Sequence, residues 1–354
     1  MSTAALADKE DHALMTSRER VIRALRFESP DRAPRDLWYL SGVATYRADE
    51  IDEVLRRYPM DFTGPAARYG ESRYARALQG ATGFFMDSWG ALWHVAEPGV
   101  AGEVKDAPIK TWDNLRHYRV PWEILREADF SAVNESCAKT DRFVRVGTET
   151  RPFERMQFLR GSEQLFLDLA YGERELYQLR DTLHDFFCRE LEMWAKTDVD
   201  GIQFMDDWGS QRSLLVSPAL WREFYKPLYR DYCAIIKGAG KFVFFHSDGF
   251  IEAIYPDLIE IGVDALNSQL FCMDVEGLGR KYKGKVTFWG EIDRQHLLPF
   301  GTPEEVREGV RRVRRALDDG RGGVIAQCEW GNRDPSANID AVFDEWAKPH
   351  PGAG

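Results

Sequence analysis

The chain has 354 residues, of which 44% are apolar, and its net charge is −11 from 47 basic and 58 acidic residues. The basic residues form no block or stripe, so we expect neither nucleic acid nor an anionic membrane as a partner. The polar N-terminus predicts no signal peptide, and the sequence lacks the run of about 18 apolar residues that would predict a membrane span.

The cysteine pattern predicts a reducing compartment. The five cysteines are widely spaced and include no Cys-x-x-Cys pair: Cys137, Cys188, Cys233, Cys272 and Cys328. Secreted domains that are held together by disulfides carry dense and usually even sets of cysteines. We therefore expect a cytoplasmic protein without a disulfide framework.

The first half of the chain contains three predicted strands. The amphipathic segment 16–27 predicts a helix, and the apolar segment 32–40 after it predicts a strand. Two further strands are predicted at 61–70, where the pattern is weak, and at 142–149. Residues 71–140 add material between them, which we expect to form an excursion over the opening of the fold.

The second half repeats a strand–helix unit. Apolar runs of strand length end in polar residues at 201–209, 241–249, 263–269, 286–293 and 322–330. Amphipathic segments of helical length lie between them. One begins at Ser217, a predicted N-cap that is followed by Pro218, and another spans 302–320. Strands separated by such helices predict parallel βαβ units.

Eight strands alternating with helices indicate a (β/α)8 TIM barrel, an α/β fold, with extra N-terminal helices and a cap-like insertion. We expect one barrel domain over 16–346, between flexible ends at 1–15 and 347–354. A doubly wound parallel sheet is the competing architecture. Its Gly-x-Gly-x-x-Gly dinucleotide fingerprint is absent after the first strand, which favours the barrel.

Candidate site residues follow from the barrel, because the chemistry of this fold lies at the carboxyl ends of its strands. Acid–base and metal-ligand residues occupy these ends: Asp206, Asp207, His246, Asp248, Glu291 and Cys328. Each of them also has a purely structural explanation. A carboxylate such as Asp207, Asp248 or Asp293 often caps a helix or fixes a loop. A lone histidine is often a core residue, and Cys328 would be a small buried apolar side chain.

A metal site is one hypothesis for these residues. The spacing His246-x-Asp248 allows one loop to present two ligands, and Cys328 would add a thiolate from across the barrel. A tetrahedral set would be completed by one of three carboxylates: Asp206, Glu149 or Glu291. Imidazole, thiolate and carboxylate together suit Zn²⁺ better than Mg²⁺ or Ca²⁺.

Aromatic residues stand at or beside several predicted strand ends: Trp38, Tyr39, Trp208, Trp289 and Trp330. Four of them, Trp38, Tyr39, Trp208 and Trp330, are candidates for the wall of a pocket that binds a flat, apolar substrate. Ordinary packing in the core and loops is the alternative explanation.

Four segments carry a family resemblance: TSRERVIRALRFESPDRAP, DDWGSQRSLLVSPALWREFYKPLY, FFHSDGFIEAIYPDLIEIGVDALNSQ and FWGEID. They resemble the uroporphyrinogen decarboxylase-like superfamily, which also contains corrinoid-dependent methyltransferases. The resemblance extends from about Thr16 to Trp346. The resemblance is specific enough to imply a TIM barrel and membership of the superfamily. It is less specific for the reaction.

Two branches of that superfamily differ after the first strand. True uroporphyrinogen decarboxylases carry an arginine-rich segment there that neutralises the carboxylates of the substrate. This chain reads LWYLSGVATY at that place, with no arginine before Arg47. The resemblance is therefore closer to the methyltransferase branch than to true uroporphyrinogen decarboxylase.

The methyltransferase branch carries a zinc site of the form His-x-Cys with a distant cysteine. The resemblance thus implies His246, Asp248 and Cys328 as zinc ligands, with Asp248 in place of a family cysteine. Asp206 or Asp207 would orient the substrate or act as acid and base, and Glu291 would be a fourth ligand or a proton donor.

The implied reaction is an O-demethylation. A methyl group would pass from a small methoxylated, aromatic compound to a corrinoid on a separate protein, because this chain has no Asp-x-His-x-x-Gly corrinoid signature. A homodimer is left open. The alternatives are a metal-independent decarboxylase that acts on a non-porphyrin acid, and a barrel that binds a small molecule without catalysis.

Overall fold

The fold is built on parallel strands. The computed structural model describes residues 15–75, 82–100 and 102–349, so the predicted flexible ends lie mostly outside these residues. The described residues contain eleven strands: β1 (Arg35–Tyr39), β2 (Phe62–Thr63), β3 (Gly83–Met86), β4 (Leu92–Val95), β5 (Glu103–Asp106), β6 (Phe143–Gly147), β7 (Gly201–Met205), β8 (Phe242–Ser247), β9 (Ala265–Ser268), β10 (Thr287–Trp289) and β11 (Val324–Trp330).

Eight of these strands form one sheet in the order β1-β11-β10-β9-β8-β7-β6-β2, and its paired neighbours run parallel. β1 and β2 are the two ends of this order, so the sheet curls into a nearly closed barrel. The predicted (β/α)8 fold is confirmed. β2 has only two residues, in agreement with the weak pattern of its sequence.

Helices surround the barrel. Those in the described residues are α1 (Ser17–Arg26), α2 (Ser41–Tyr46), α3 (Ala48–Arg57), α4 (Trp112–His117), α5 (Glu123–Arg126), α6 (Val133–Ala138), α7 (Pro152–Arg160), α8 (Ser162–Tyr171), α9 (Arg174–Ala195), α10 (Pro218–Phe224), α11 (Lys226–Gly238), α12 (Tyr255–Glu260), α13 (Val275–Tyr282), α14 (Leu297–Phe300), α15 (Pro303–Leu317) and α16 (Ser336–Ala347). None of them is both long and apolar enough to cross a membrane.

Local capping signals explain where several helices begin. The Ser217 side chain accepts from the amide of Leu220 at the start of α10, as predicted from the Ser-Pro pair. The single helix expected after Ser217 is instead two helices that meet at Tyr225. Pro227 in the first turn of α11 explains the break, because proline has no N–H to donate to the preceding turn.

The packing of α1 leaves one end of the barrel open. The amide of Arg18 donates to the carbonyl of Asp141, and the carbonyl of Ala24 accepts from Gly323. Both partners precede strands of the barrel, so α1 covers the amino ends of the strands. The carboxyl ends form the opposite face, which we call the mouth.

The segment between β2 and β6 contributes a small antiparallel sheet, β3-β4-β5. It contacts the mouth at Gly99, whose carbonyl accepts from Asn332 Nδ2 at 2.9 Å on the loop after β11. Gly99 has a φ of +76°, and a Cβ there would lie 2.3 Å from the Cα of Gly42 in α2. Only glycine allows this close approach. Residues 76–81 and 101 of the segment lie outside the described residues.

Candidate metal centre at the barrel mouth

His246 lies near the end of β8, buried at the mouth. Its Nδ1 is 2.6 Å from Asn267 Oδ1 on the neighbouring strand β9. The amide nitrogen of Asn267 donates to the carbonyl of Trp289 and to Gln327 Oε1, so the amide oxygen faces the imidazole. Nδ1 therefore carries the ring proton, and the lone pair of Nε2 is free to bind a ligand.

Two carboxylates face that nitrogen. His246 Nε2 is 3.6 Å from Asp207 Oδ1 and 3.5 Å from Asp248 Oδ1. One ligand atom from each of the three residues lies within 4.8 Å of the other two. The side chains of Asp207 and Asp248 are 40% and 29% exposed, so the group can be reached from solvent. One imidazole and two carboxylates form a donor set that fits a divalent cation such as Zn²⁺.

Arg294 fixes one of these carboxylates. Its Nη2 pairs with Asp248 Oδ2, and its Nη1 is 2.7 Å from Glu329 Oε1. The other oxygen of Asp248, Oδ1, is buried, meets no hydrogen-bond donor among the described residues and lies 3.5 Å from His246 Nε2. The arginine thus leaves Asp248 with one oxygen for a ligand. Arg294 was not among the predicted site residues, because it follows the predicted strand 286–293 by one residue.

Glu291 stands behind this pair as a buried carboxyl group. Its Oε1 forms no hydrogen bond within the described ranges, and its Oε2 is 3.7 Å from Arg294 Nε. Burial raises the pKa of Glu291 to about 7, and the charge of Asp248 adds to this rise while Arg294 opposes it. A carboxyl group with such a pKa can hold or release a proton near neutral pH.

Glu154 is a second carboxyl group near His246, in the first turn of α7, and its side chain is 15% exposed. Burial and the charge of Asp207 raise the pKa of Glu154 to about 7, while Arg151 and His246 oppose the rise. No described residue donates a hydrogen bond to its Oε2. Glu154 was not among the predicted site residues, because it does not stand at the end of a strand.

Burial and charge act in opposite directions on His246. Burial lowers the pKa of the imidazole, but the surrounding carboxylates of Asp207, Asp248 and Glu291 outweigh burial and raise it. The mouth therefore has an excess of negative charge that favours a cation. A proton on His246 Nε2 or a divalent ion would neutralise part of this charge.

Comparison with known proteins places this barrel in a family. Residues 99–347 match the profile described as uroporphyrinogen decarboxylase (URO-D). The chain belongs to this uroporphyrinogen decarboxylase family. The superfamily resemblance that was drawn from four sequence segments is confirmed.

Individual relatives of the family are distant. A uroporphyrinogen decarboxylase from Neisseria gonorrhoeae is 27% identical over 157 residues, which cover 42% of this chain and 41% of that enzyme. The matched part therefore spans less than half the length of that relative. A methyltransferase from Methanosarcina mazei has a similar structure, with a TM-score of 0.69, 15% identity and coverage of 94% of this chain and 98% of that one. At this identity the similarity shows a common fold.

The environment of Asp206 differs from that of Asp207, His246 and Asp248. Its Oδ2 accepts from the amide of Phe153 and from the hydroxyl of Tyr229, and its Oδ1 accepts from the amide of Glu154. It is fully buried, and burial raises its pKa well above the ordinary value. Asp206 therefore anchors the first turn of α7. Asp293 likewise accepts backbone amides within its own loop.

Cys328 is not brought to His246. Gln327 contacts Asn267 and Glu329 contacts Arg294, so both side chains point into the barrel. Successive residues of a strand point to opposite faces, which places Cys328 in the apolar layer between β11 and the helices. Burial raises the pKa of its thiol well above the ordinary value, so it stays protonated. In the grouped ligand set, Asp207 takes the place predicted for Cys328.

Glu149, another candidate fourth ligand, lies outside the group and accepts from Arg155 at 3.1 Å.

The predicted aromatic wall is only partly at the site. The Trp38 ring lies 5.3 Å from the His246 ring between centroids, and Tyr39 is 43% exposed at the end of β1. Trp208 is buried against Phe153 with its ring stacked at 4.1 Å. Trp330 is also buried, and its Nε1 donates to a backbone carbonyl. These last two residues pack the walls of the fold, while Trp38 borders the candidate metal centre.

Proposed function

We propose that this chain is a metal-dependent methyltransferase of the O-demethylase type. It takes a methyl group from a small methoxylated aromatic compound and passes it to a corrinoid on a separate protein. The observation that carries the proposal is the group of Asp207, His246 and Asp248, whose ligand atoms lie within 4.8 Å of one another at the barrel mouth. The fold shared with a methyltransferase supports it.

The donor set fits zinc and departs from the thiolate pattern of the methyltransferase branch. Nitrogen and carboxylate ligands both bind Zn²⁺, and Asp248 Oδ1 is a buried acceptor without a donor in the described part of the chain. Carboxylates give less charge to the ion than thiolates and leave it a harder Lewis acid. When bound, such an ion would supply positive charge beside an ether oxygen.

The protein residues around that position have distinct tasks. Asn267 holds the imidazole so that Nε2 faces the mouth, and Arg294 holds Asp248 by its other oxygen. During methyl transfer the bond between the ether oxygen and the methyl carbon breaks, and its electron pair stays on the oxygen. The methyl carbon bonds to the acceptor, and the oxygen takes a proton. Glu291 is placed to hold that proton, since its pKa is about 7.

The decarboxylase alternative would use the mouth differently. A decarboxylase of this family that binds a substrate with several carboxylates needs several free cationic groups. Arg294 and Arg155 are each paired with two or more carboxylates of the protein itself. The segment LWYLSGVATY after β1 also supplies no arginine. These pairings favour methyl transfer over decarboxylation of a polyacid.

The test combines metal content with turnover. The purified full-length chain, expressed with zinc and dialysed, should hold about one zinc ion per chain by elemental analysis. Given methoxybenzene derivatives and cob(I)alamin as acceptor, it should form the corresponding phenols. H246A should lose both zinc and phenol formation.

H296A is the matched control, because His296 is a 78% exposed histidine that follows β10 at the same mouth. It should retain the zinc and the turnover. A protein that holds no divalent metal after this treatment would contradict the proposal.

A further inference from the structure

The guanidinium of Arg151, at the barrel mouth, donates no hydrogen bond to any residue that the structure describes. Arg151 lies on the loop between β6 and α7, directly before Pro152, and its side chain is 27% exposed. Its Nε is buried without a partner, and its Nη1 is 3.9 Å from Glu154 Oε2, beyond hydrogen-bond distance. A guanidinium has five N–H donors in a fixed arrangement. An acceptor from outside the chain would satisfy them.

Two other arginines with a buried, unpartnered Nε form hydrogen bonds through their terminal nitrogens. Within the described ranges, Arg155 and Arg314 also have a buried Nε without a partner. Arg155 uses its terminal nitrogens on Asp87 and Glu149, at 3.2 and 3.1 Å. Arg314 uses its terminal nitrogens on two backbone carbonyls at the end of α16. Of these three residues, Arg151 alone donates no hydrogen bond.

The position of Arg151 relates it to the candidate metal centre. Its neighbour Glu154 lies close enough to Asp207 and His246 for their charges to act on its carboxyl group. Arg151 Nη1 is 3.9 Å from Glu154 Oε2, and the amide of Glu154 donates to Asp206, the residue directly before the ligand Asp207. An aromatic ring with its ether oxygen at the ligands and a second substituent directed outward would bring that substituent toward Arg151.

We infer that Arg151 binds a carboxylate of the substrate, so that the substrate class is the methoxylated aromatic acids. This inference rests on the proposed function of the same site. A carboxylate accepts two parallel hydrogen bonds from one guanidinium and carries one negative charge. A phosphate ester would bring a charge of about −1.5 to −2 to a mouth that already holds Asp207, Asp248 and Glu154. A guanidinium whose Nε is buried without an acceptor in the described residues therefore matches a carboxylate better.

Binding experiments compare an acid with its neutral counterpart. The probes are 4-methoxybenzoate and methoxybenzene, titrated by calorimetry into the zinc-loaded protein and into the R151Q, R151K and R212Q variants. Arg212 is an exposed arginine on the loop after β7, so R212Q removes the same charge from the same face. The melting temperature of each variant verifies that it is folded.

The wild-type protein should bind the acid at least about tenfold more tightly than the ether. R151Q should weaken binding of the acid by about 10- to 100-fold, the range for a hydrogen-bonded charge, and leave binding of the ether and the zinc content unchanged. R151K should fall between the two, because lysine keeps the charge without the paired donors. R212Q should behave as the wild type.

Equal affinity of the wild type for acid and ether, or an unchanged affinity of R151Q for the acid, would overturn the inference. If R151Q does not fold, an unchanged affinity of R151K for the acid would do so instead. The reaction products separate this result from the proposed function. Methyl transfer from 4-methoxybenzoate that is unaffected by R151Q refutes only the role of Arg151. Release of CO₂ from an acid bound through Arg151 refutes only the methyltransferase.

Discussion

Replacing Cys328 with serine separates two possible ligand sets for the metal. The family pattern implies His246, Asp248 and Cys328, whereas the structure groups Asp207 with His246 and Asp248. Cys328 is fully buried in the apolar layer outside the barrel, and its sulfur has no hydrogen-bond partner in the described residues. C328S should therefore leave the zinc content at about one ion per chain and should lower the stability.

The size of that loss follows from the surroundings of Cys328. A serine hydroxyl there would be buried without an acceptor, which costs about 1–3 kcal/mol. C328A is the matched control, because it removes the sulfur without adding a polar group, at about 1 kcal/mol. Each kcal/mol corresponds to a fall of about 2–4 °C in melting temperature for a large domain.

The assay is thermal unfolding beside elemental analysis of the same samples, with D207N included. D207N should lose zinc while C328S and C328A keep it. A C328S protein that melts like the wild type but holds no zinc would refute the assignment, and it would show that the thiol reaches the ion.

Three other changes test the roles of individual side chains. D206N should destabilise the protein by about 1–3 kcal/mol, because one of the donors at the start of α7 loses its acceptor. The zinc content should not change. Loss of turnover at unchanged stability would instead indicate a catalytic role for Asp206. R294A should weaken zinc binding by about 10- to 100-fold, because Asp248 loses its positioning partner. A competition titration with a chelator measures this affinity. R294K should recover part of the lost affinity. Burial raises the pKa of Glu190 to about 7, so the folded protein holds a proton that the unfolded chain releases near pH 4.5. The stability from this group is present below that pH and is lost as the pH rises through 7. E190Q should reduce the fall in unfolding free energy between pH 5 and 8 by an amount on the order of 1–3 kcal/mol, and an unchanged pH profile would contradict this.

The barrel could be predicted because its signals are local. Strands in a parallel barrel are buried on both faces and read as short apolar runs, and the helices between them show one apolar face. The same locality found His246 and Asp248, since both stand where β8 ends and lie two residues apart. The break between α10 and α11 was missed because the apolar pattern continues through Tyr225.

The ligand set could not be read from the sequence, because burial on both faces hides the orientation of β11. Residues 324–330 are almost all buried, and polar and apolar residues alternate only over the last four of them, 327–330, so burial does not indicate which side chains face the barrel. The orientation becomes clear only from the partners of Gln327 and Glu329. A shift of one residue moves every side chain to the other face, which is why Cys328 was a plausible ligand.

A second cause explains why the sequence did not indicate Arg151 and Glu154 as site residues. Arg151 and Glu154 belong to the loop and first turn that follow β6, and their approach to the centre depends on how α7 is held. That position is set by Asp206, which binds the amides of Phe153 and Glu154 from β7. A contact between two strands and a helix has no signature in any one segment.

The distribution of unpaired groups gives the mouth its chemical character. Asp248, Glu154 and Glu291 each have a buried oxygen that no donor in the described residues reaches, and each lies close enough to His246 for their charges to interact. Buried acceptors without donors are rare in folded proteins, because each costs about 1–3 kcal/mol. One cation can bind several of these acceptors at once, whereas one hydrogen-bond donor satisfies a single acceptor. Since Arg151 is the complementary case, a donor without an acceptor, the mouth fits a cation at its centre and an anionic group at its edge.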